Sequence, residues 1–88
     1  MIVTVVDKNN DIIVTIDKPK VIEVKRKGAA GKYEIMLDGV LVTATEDKYN
    51  AIELFKSLST KIETESHYYI TTDNYGKISI VPYSADKF

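Results

Sequence analysis

The clearest pattern of apolar and polar residues lies between positions 32 and 44, on either side of Asp38 and Gly39. Asp-Gly is favoured in two-residue type I′ turns, because both central residues of that turn need positive φ. Such a turn places Leu37 opposite Val40. The same register puts only apolar residues on one side of the hairpin: Tyr33, Ile35, Leu37, Val40, Val42 and Ala44. We therefore predict a tight antiparallel hairpin, with Ile35 opposite Val42, that buries this side.

Three further strands are predicted before this hairpin. The β-branched runs 2–6 and 12–16 flank a polar turn at 7–11, which is typical of a hairpin. Pro19 interrupts the pattern because proline has no N–H to donate, and another strand follows at about 20–27. A loop at 28–31 would place Val24 opposite Ile35 and Lys25 opposite Glu34.

One helix is predicted after residue 44. Thr45 is the expected N-cap, and Glu46 and Asp47 put negative charge at the positive end of the helix. Apolar residues then recur at helical spacing over about 14 residues. The predicted apolar stripe contains Ala51, Ile52, Leu54, Phe55 and Leu58. The side expected to face water contains Lys48, Asn50, Glu53, Lys56 and Ser57.

The C-terminal part predicts a last hairpin. Asp73 and Gly76 suit the first and fourth positions of a type I turn. This turn would pair Ile70 with Ile80 and Thr72 with Ile78. Tyr68, Ile70, Ile78 and Ile80 would face the core, and the opposite face would carry His67, Tyr69, Thr71, Ser79 and Val81. Pro82 is expected to end the pairing and to begin a short tail at 82–88.

The order of these elements, βββββαββ, predicts an α+β fold. We expect a single domain over residues 1–88, with a mainly antiparallel sheet of about six to seven strands and one amphipathic helix on one face. One helix covers roughly three or four strands at the usual strand spacing. Part of the sheet is therefore expected to stay uncovered.

Composition narrows the possible classes of protein. The apolar fraction is 44%, the charged fraction is 28% and the net charge is −1, as in ordinary globular domains. No apolar run approaches the length of a membrane span, and the first residues lack the pattern of a secretory signal. We expect a cytoplasmic protein. Without cysteine, the chain has no disulfide, thiol nucleophile or zinc finger.

No catalytic or metal motif is present. His67 is the only histidine, and no serine lies in a nucleophile-elbow sequence. Paired acidic residues occur at Asp7/Asp11, Glu46/Asp47 and Glu63/Glu65, but none has the spacing of a calcium loop. The glycines at 28 and 31 lack Walker spacing. We therefore predict a non-enzymatic protein with no catalytic residue, no metal site and no cofactor.

The leading hypothesis is a small protein-interaction module that binds a protein partner or self-associates through an exposed sheet face or edge. Tyrosine is enriched at binding hot spots, and an uncovered sheet needs a cover. The expected interface residues are His67, Tyr69, Tyr75, Val81 and Tyr83. The expected role is that of an accessory, adaptor or inhibitor protein of a bacterium or phage, since eleven lysines against one arginine are ordinary for an AT-rich bacterium or one of its phages.

The alternative hypothesis is nucleic-acid binding. Six of the twelve basic residues fall between positions 18 and 32, where only Glu23 opposes them. Lysines on a strand pair can follow a phosphate backbone. The residues that would make these contacts are Lys18, Lys20, Lys25, Arg26, Lys27 and Lys32.

Overall fold

The computed structural model describes residues 1–26 and 28–84, which form an α+β fold with the predicted element order. Residues 27 and 85–88 lie outside the described part. The described strands are β1 (Ile2–Asp7), β2 (Ile12–Asp17), β3 (Ile22–Arg26), β4 (Tyr33–Leu37), β5 (Val40–Thr45), β6 (His67–Thr72) and β7 (Ile78–Pro82). The helix α1 spans Lys48–Lys61.

The strands form two sheets, and the prediction of one continuous sheet is therefore wrong. The first sheet has the order β2-β1-β6-β7, and the second has the order β3-β4-β5. All neighbours are antiparallel except β1 and β6, which run parallel with Ile2 opposite His67. The break falls after β2, where Lys18 has φ of 50° and Pro19 follows.

The hairpin at Asp38 and Gly39 is confirmed, with φ of 50° and 79° and with Leu37 opposite Val40. The predicted pair of Ile35 and Val42 is wrong, because a β-bulge shifts the register and places Thr43 opposite Ile35. As a result Val42 and Thr43 are both buried, and Thr45 is more deeply buried than Ala44.

The predicted pairs between β3 and β4 are confirmed. Val24 lies opposite Ile35, and Lys25 lies opposite Glu34.

The core lies between the two sheets and is closed on one side by α1. Its fully buried aliphatic residues come from both sheets and from the helix: Val3, Val5, Ile35, Leu37, Val42, Leu58 and Ile70. The helix packs against β3, β4, β5 and β7, and β5 packs against β1 and β2. The two sheets therefore cover one another where the helix does not reach.

Two details of the helix differ from the prediction. The N-cap is Asp47, whose carboxylate accepts from the N–H groups of Tyr49 and Asn50, and Thr45 instead accepts from the N–H of Asp47. Asn50 is buried rather than exposed, whereas Ile52 and Phe55 are each 39% exposed. The helix therefore presents an amide to the core beside its leucines.

The C-terminal hairpin has the predicted pairs of Ile70 with Ile80 and Thr72 with Ile78. Pairing does not end at Pro82, which belongs to β7, because the N–H of Tyr83 still donates to the carbonyl of His67. Ser84 is the last described residue, so most of the predicted tail lies outside the described part. Within residues 1–26 and 28–84, no helix is long and apolar enough to span a membrane.

Candidate protein-interaction surface

The side of the four-stranded sheet that points away from the core forms a continuous surface, which we call the outer face. Because side chains alternate along a strand, the neighbours of buried Val3, Val5 and Ile70 point outward. The register places these residues together on the outer face: Ile2, Thr4, Val6, Ile13, Thr15, Asp17, His67, Tyr69, Thr71, Ser79 and Val81.

The outer face is nearly free of charge. Of the residues that form it, only Asp17, at its rim, is an acidic or basic residue of the Asp, Glu, Lys and Arg class, although this class makes up 28% of the chain. None of the described helices or strands packs against this face, because α1 and β5 lie on its other side. Ile13 is 81% exposed. The face thus combines aliphatic, hydroxyl and aromatic groups that contact solvent.

A line of polar and aromatic contacts crosses the outer face and fixes its side chains. The hydroxyl of Thr4 lies 3.2 Å from that of Thr15 and 2.7 Å from Nε2 of His67. The imidazole of His67 stacks on the Tyr83 ring, with 3.8 Å between ring centroids and 4° between planes. Both rings are therefore held in place before any partner arrives.

The structure brings four of the five predicted interface residues together and places the fifth elsewhere. His67, Tyr69 and Val81 lie on the outer face, and Tyr83 stacks beside them. Tyr75 is 96% exposed, on the turn between β6 and β7. There it lines a different feature, a groove of about 530 Å³ at one end of the molecule.

Sequence reasoning missed the contribution of the first hairpin to this surface. Thr4 and Val6 lie on β1, which pairs with the tyrosine-bearing β6 across some sixty residues of chain, and Ile13 and Thr15 lie beside them on β2. Alternation within residues 2–6 and 12–16 does show which side chains share a face. It does not show which distant strand completes that face.

A second missed feature is the buried carboxylate of Asp7, which joins the two sheets. It accepts from the hydroxyl of Thr43 at 2.6 Å and from the side-chain amide of Asn10 at 2.8 Å, as well as from the backbone N–H of Asn9 and of Asn10. Burial alone would raise the pKa of Asp7, but these hydrogen bonds outweigh it and lower the pKa below its usual 3.8. The same amide of Asn10 also donates to the carbonyl of Ala44 at 3.0 Å.

A third missed feature is Asn50, which binds the backbone of β7 from the helix. Its amide donates to the carbonyl of Ile78 at 2.9 Å and accepts from the N–H of Ile78 at 2.8 Å. A neighbouring strand would make the same pair of bonds. The spacing 50, 54 and 58 places Asn50 on the same side of the helix as Leu54 and Leu58, and this was the signal that the polarity of its side chain obscured.

The basic residues of the alternative hypothesis do not form one surface. Lys18 and Lys20 line a groove of about 390 Å³ that also contains Glu63 and Glu65. Lys32 lines the 530 Å³ groove at the end of the molecule, whose acidic residues are Glu46, Asp47 and Glu53.

Lys25 and Arg26 are the two basic residues that remain close together, on β3. The ammonium of Lys25 lies 3.5 Å from the carboxylate of Glu23. Arg26 lies over the Tyr33 ring, 5.0 Å from its centroid, and donates to the carbonyls of Ala29 and Gly31. Lys27 lies outside the described residues. The structure therefore surrounds most of this positive charge with acids or local contacts.

Neither a metal centre nor a known relative points to another function. Within the described ranges, no three His, Asp or Glu side chains lie close enough together to hold a metal ion. No family model, curated protein or solved structure matches the chain.

Proposed function

We propose that this chain is a small non-enzymatic interaction module that binds another protein through the outer face of its four-stranded sheet. The observation that carries the proposal is the near absence of charge on that face, which no described element covers. The cores of protein interfaces are depleted of charged residues and enriched in tyrosine. The outer face has this composition, with Tyr69 and the stacked Tyr83 beside aliphatic residues.

The chemistry of the face defines the kind of partner that it fits. The valine, isoleucine and threonine side chains of this face gain free energy when a second uncharged surface covers them and excludes water. His67 and Tyr83 are already ordered by the stack and by Thr4, so a partner does not have to order them. We therefore propose a protein partner with an uncharged patch of apolar and hydroxyl-bearing side chains, such as the exposed face of another sheet.

We further propose that the protein acts as an accessory, adaptor or inhibitor protein. Such proteins act by occupying a surface of a larger protein and therefore need no catalytic residues. Nucleic-acid binding is less well supported, because acidic residues line both grooves that contain Lys18, Lys20 and Lys32.

The test introduces a charge on the outer face. Thr71→Lys replaces a partly exposed residue of β6, and a lysine in an interface core loses its hydration without gaining a partner. The matched control is Thr60→Lys, which makes the same change on the exposed side of α1. We expect a protein partner isolated with the wild-type chain from the native host to bind Thr71→Lys at least about tenfold more weakly.

The control variant should bind the isolated partner as the wild type does, and circular dichroism should show both variants folded. Equal binding of all three proteins would contradict the proposal, because the partner would then contact another surface. The result that a second copy of this chain is the only protein to bind the outer face would also contradict the proposal.

A further inference from the structure

Three of the four edge strands in the described part of the chain have features that oppose pairing with another strand. At the edge formed by β7, Asn50 holds both backbone groups of Ile78, and Pro82 has no N–H to donate. An edge strand with these features offers few donors or acceptors to an incoming strand.

The two edges of the three-stranded sheet are protected in other ways. The strand β3 carries Lys25 and Arg26, and charged side chains discourage edge pairing. The strand β5 packs against β1 and β2, contains the bulge, and has the carbonyl of Ala44 bound by Asn10. The edge of β5 therefore presents no regular row of unpaired backbone groups, and cationic side chains flank the edge of β3.

The edge formed by β2 has fewer of these protections: its one charged residue is Asp17, at the end of the strand. Between Ile12 and Asp17 there is no lysine, arginine or proline, and its register with β1 is unbroken. The N–H of Lys18 donates to the carbonyl of Met1 at 2.8 Å. In an antiparallel pair of strands, every second residue exchanges backbone hydrogen bonds with the neighbouring strand. Because Lys18 makes such a bond, the even-numbered residues of β2 are the ones that bond to β1.

The odd-numbered residues of β2 therefore turn their backbone groups away from the sheet. They are Ile13, Thr15 and Asp17, and within the described part of the chain no hydrogen bond reaches their outward N–H and C=O groups. Beside them, Ile13 exposes 81% of its surface. A regular strand with unpaired backbone groups and an exposed apolar side chain is a template for another strand.

We propose that this edge pairs with the β2 edge of a second copy of the chain, antiparallel and centred on Thr15. In this register Thr15 lies opposite Thr15 of the second copy, and Ile13 lies opposite Asp17. All the outward backbone groups of Ile13, Thr15 and Asp17 then find partners in both copies at once. A register centred on Val14 leaves Asp17 opposite Asp11, which has left-handed φ of 55° and ends the strand.

A second copy is the occupant because a two-fold contact is self-complementary and satisfies two identical edges together. Threonine pairs are favourable across antiparallel strands, and the β-branched composition of β2 suits an interior strand. The resulting dimer has one eight-stranded sheet, in which two outer faces lie side by side. The inference concerns the edge and does not depend on what binds the face.

The first test is Thr15→Pro with sedimentation measurements over a range of concentrations. The outward N–H of Thr15 makes no bond to β1, so proline should remove a donor of the dimer contact while leaving the monomer folded by circular dichroism. We expect the wild type to dimerise and Thr15→Pro to stay monomeric. Thr71→Lys should dimerise like the wild type, which separates this contact from binding at the outer face.

The second test uses two opposite charges at one exposed position. Ile13→Glu places a carboxylate opposite Asp17 of the second copy, twice per dimer, and should raise the dissociation constant at least about tenfold. Ile13→Lys places an ammonium there and should leave that constant unchanged or lower it. A monomeric wild type, a dimeric Thr15→Pro, or equal effects of glutamate and lysine would each overturn the proposal.

Discussion

The two sheets of this protein differ most on the sides that face away from the core. The outer face of the four-stranded sheet has Asp17 as its one residue of the Asp, Glu, Lys and Arg class. The corresponding side of the three-stranded sheet carries Glu23, Lys25 and Glu34. Both sheets bury their inward aliphatic residues to a similar degree. The placement of charge, rather than the amount of apolar residue, therefore distinguishes a surface suited to a partner from one suited to water.

The edges show the same contrast. Charged side chains protect β3, and packing against the other sheet protects β5, whereas in the four-stranded sheet only β7 is closed, by Asn50. In the four-stranded sheet, the unpaired backbone groups and the exposed apolar side chains therefore lie on β2 and on the outer face. Substitutions that remove the contact between the two sheets, or the contact of Asn50 with β7, measure how much each contact stabilises the fold.

The largest expected effect comes from removing the joint between the sheets. Asp7→Ala leaves the hydroxyl of Thr43 and the donors of Asn9 and Asn10 without their shared acceptor in a buried site. We expect the free energy of unfolding to fall by about 3 kcal/mol at neutral pH, measured by chemical denaturation. Asp17→Ala, an exposed carboxylate removed from the same hairpin, should change it by less than about 0.5 kcal/mol.

The dependence on pH checks the cause of this effect. The pKa of Asp7 is lowered in the folded state, so its contribution is complete above the unfolded value near 3.8 and is lost as pH falls through the folded value. The difference in stability between wild type and Asp7→Asn should therefore shrink in acid. A difference that stays constant from neutral pH to about pH 2 would contradict the role of the ionised carboxylate.

A smaller effect is expected at the closed edge. Asn50→Leu keeps a side chain of similar size in the core but leaves the N–H and C=O of Ile78 unpaired. We expect a loss of about 2 kcal/mol in the free energy of unfolding, together with faster amide exchange at Ile78. Asn74→Leu, the same substitution on the exposed turn, should be close to neutral. Slow exchange at Ile78 in Asn50→Leu would contradict the role of Asn50 as a substitute strand.

Local chemistry was sufficient to predict much of this fold. The Asp38-Gly39 turn, the pair of Val24 with Ile35 and the pair of Ile70 with Ile80 each depend on turn residues and alternation within one hairpin. The bulge in β5 was not predictable in this way, because it depends on burying Thr43 against Asp7 from another sheet.

The part of the candidate site that could not be predicted depends on pairing between strands that are distant in the sequence. The face that contains His67 and Tyr69 was predicted from alternation on one strand. Its extension to Thr4 and Ile13 depends on the parallel contact of β1 with β6, and no local pattern specifies that partner. Asn50 was assigned to the water side because its side chain is polar, although its spacing places it beside Leu54 and Leu58. Its two bonds to Ile78 exist only once β7 is in place.

The smallest effect is expected for nucleic-acid binding by the charged side of the three-stranded sheet. Lys25 lies 3.5 Å from the carboxylate of Glu23, and the other described lysines of this segment line grooves that also contain acids, so few phosphates could be neutralised together. Fluorescence anisotropy with labelled single-stranded and double-stranded oligonucleotides at low salt should show little binding, and Lys25→Glu should change it less than about twofold. Binding that falls steeply with added salt and is abolished by Lys25→Glu would instead assign function to this sheet, and would reverse the contrast between the two faces.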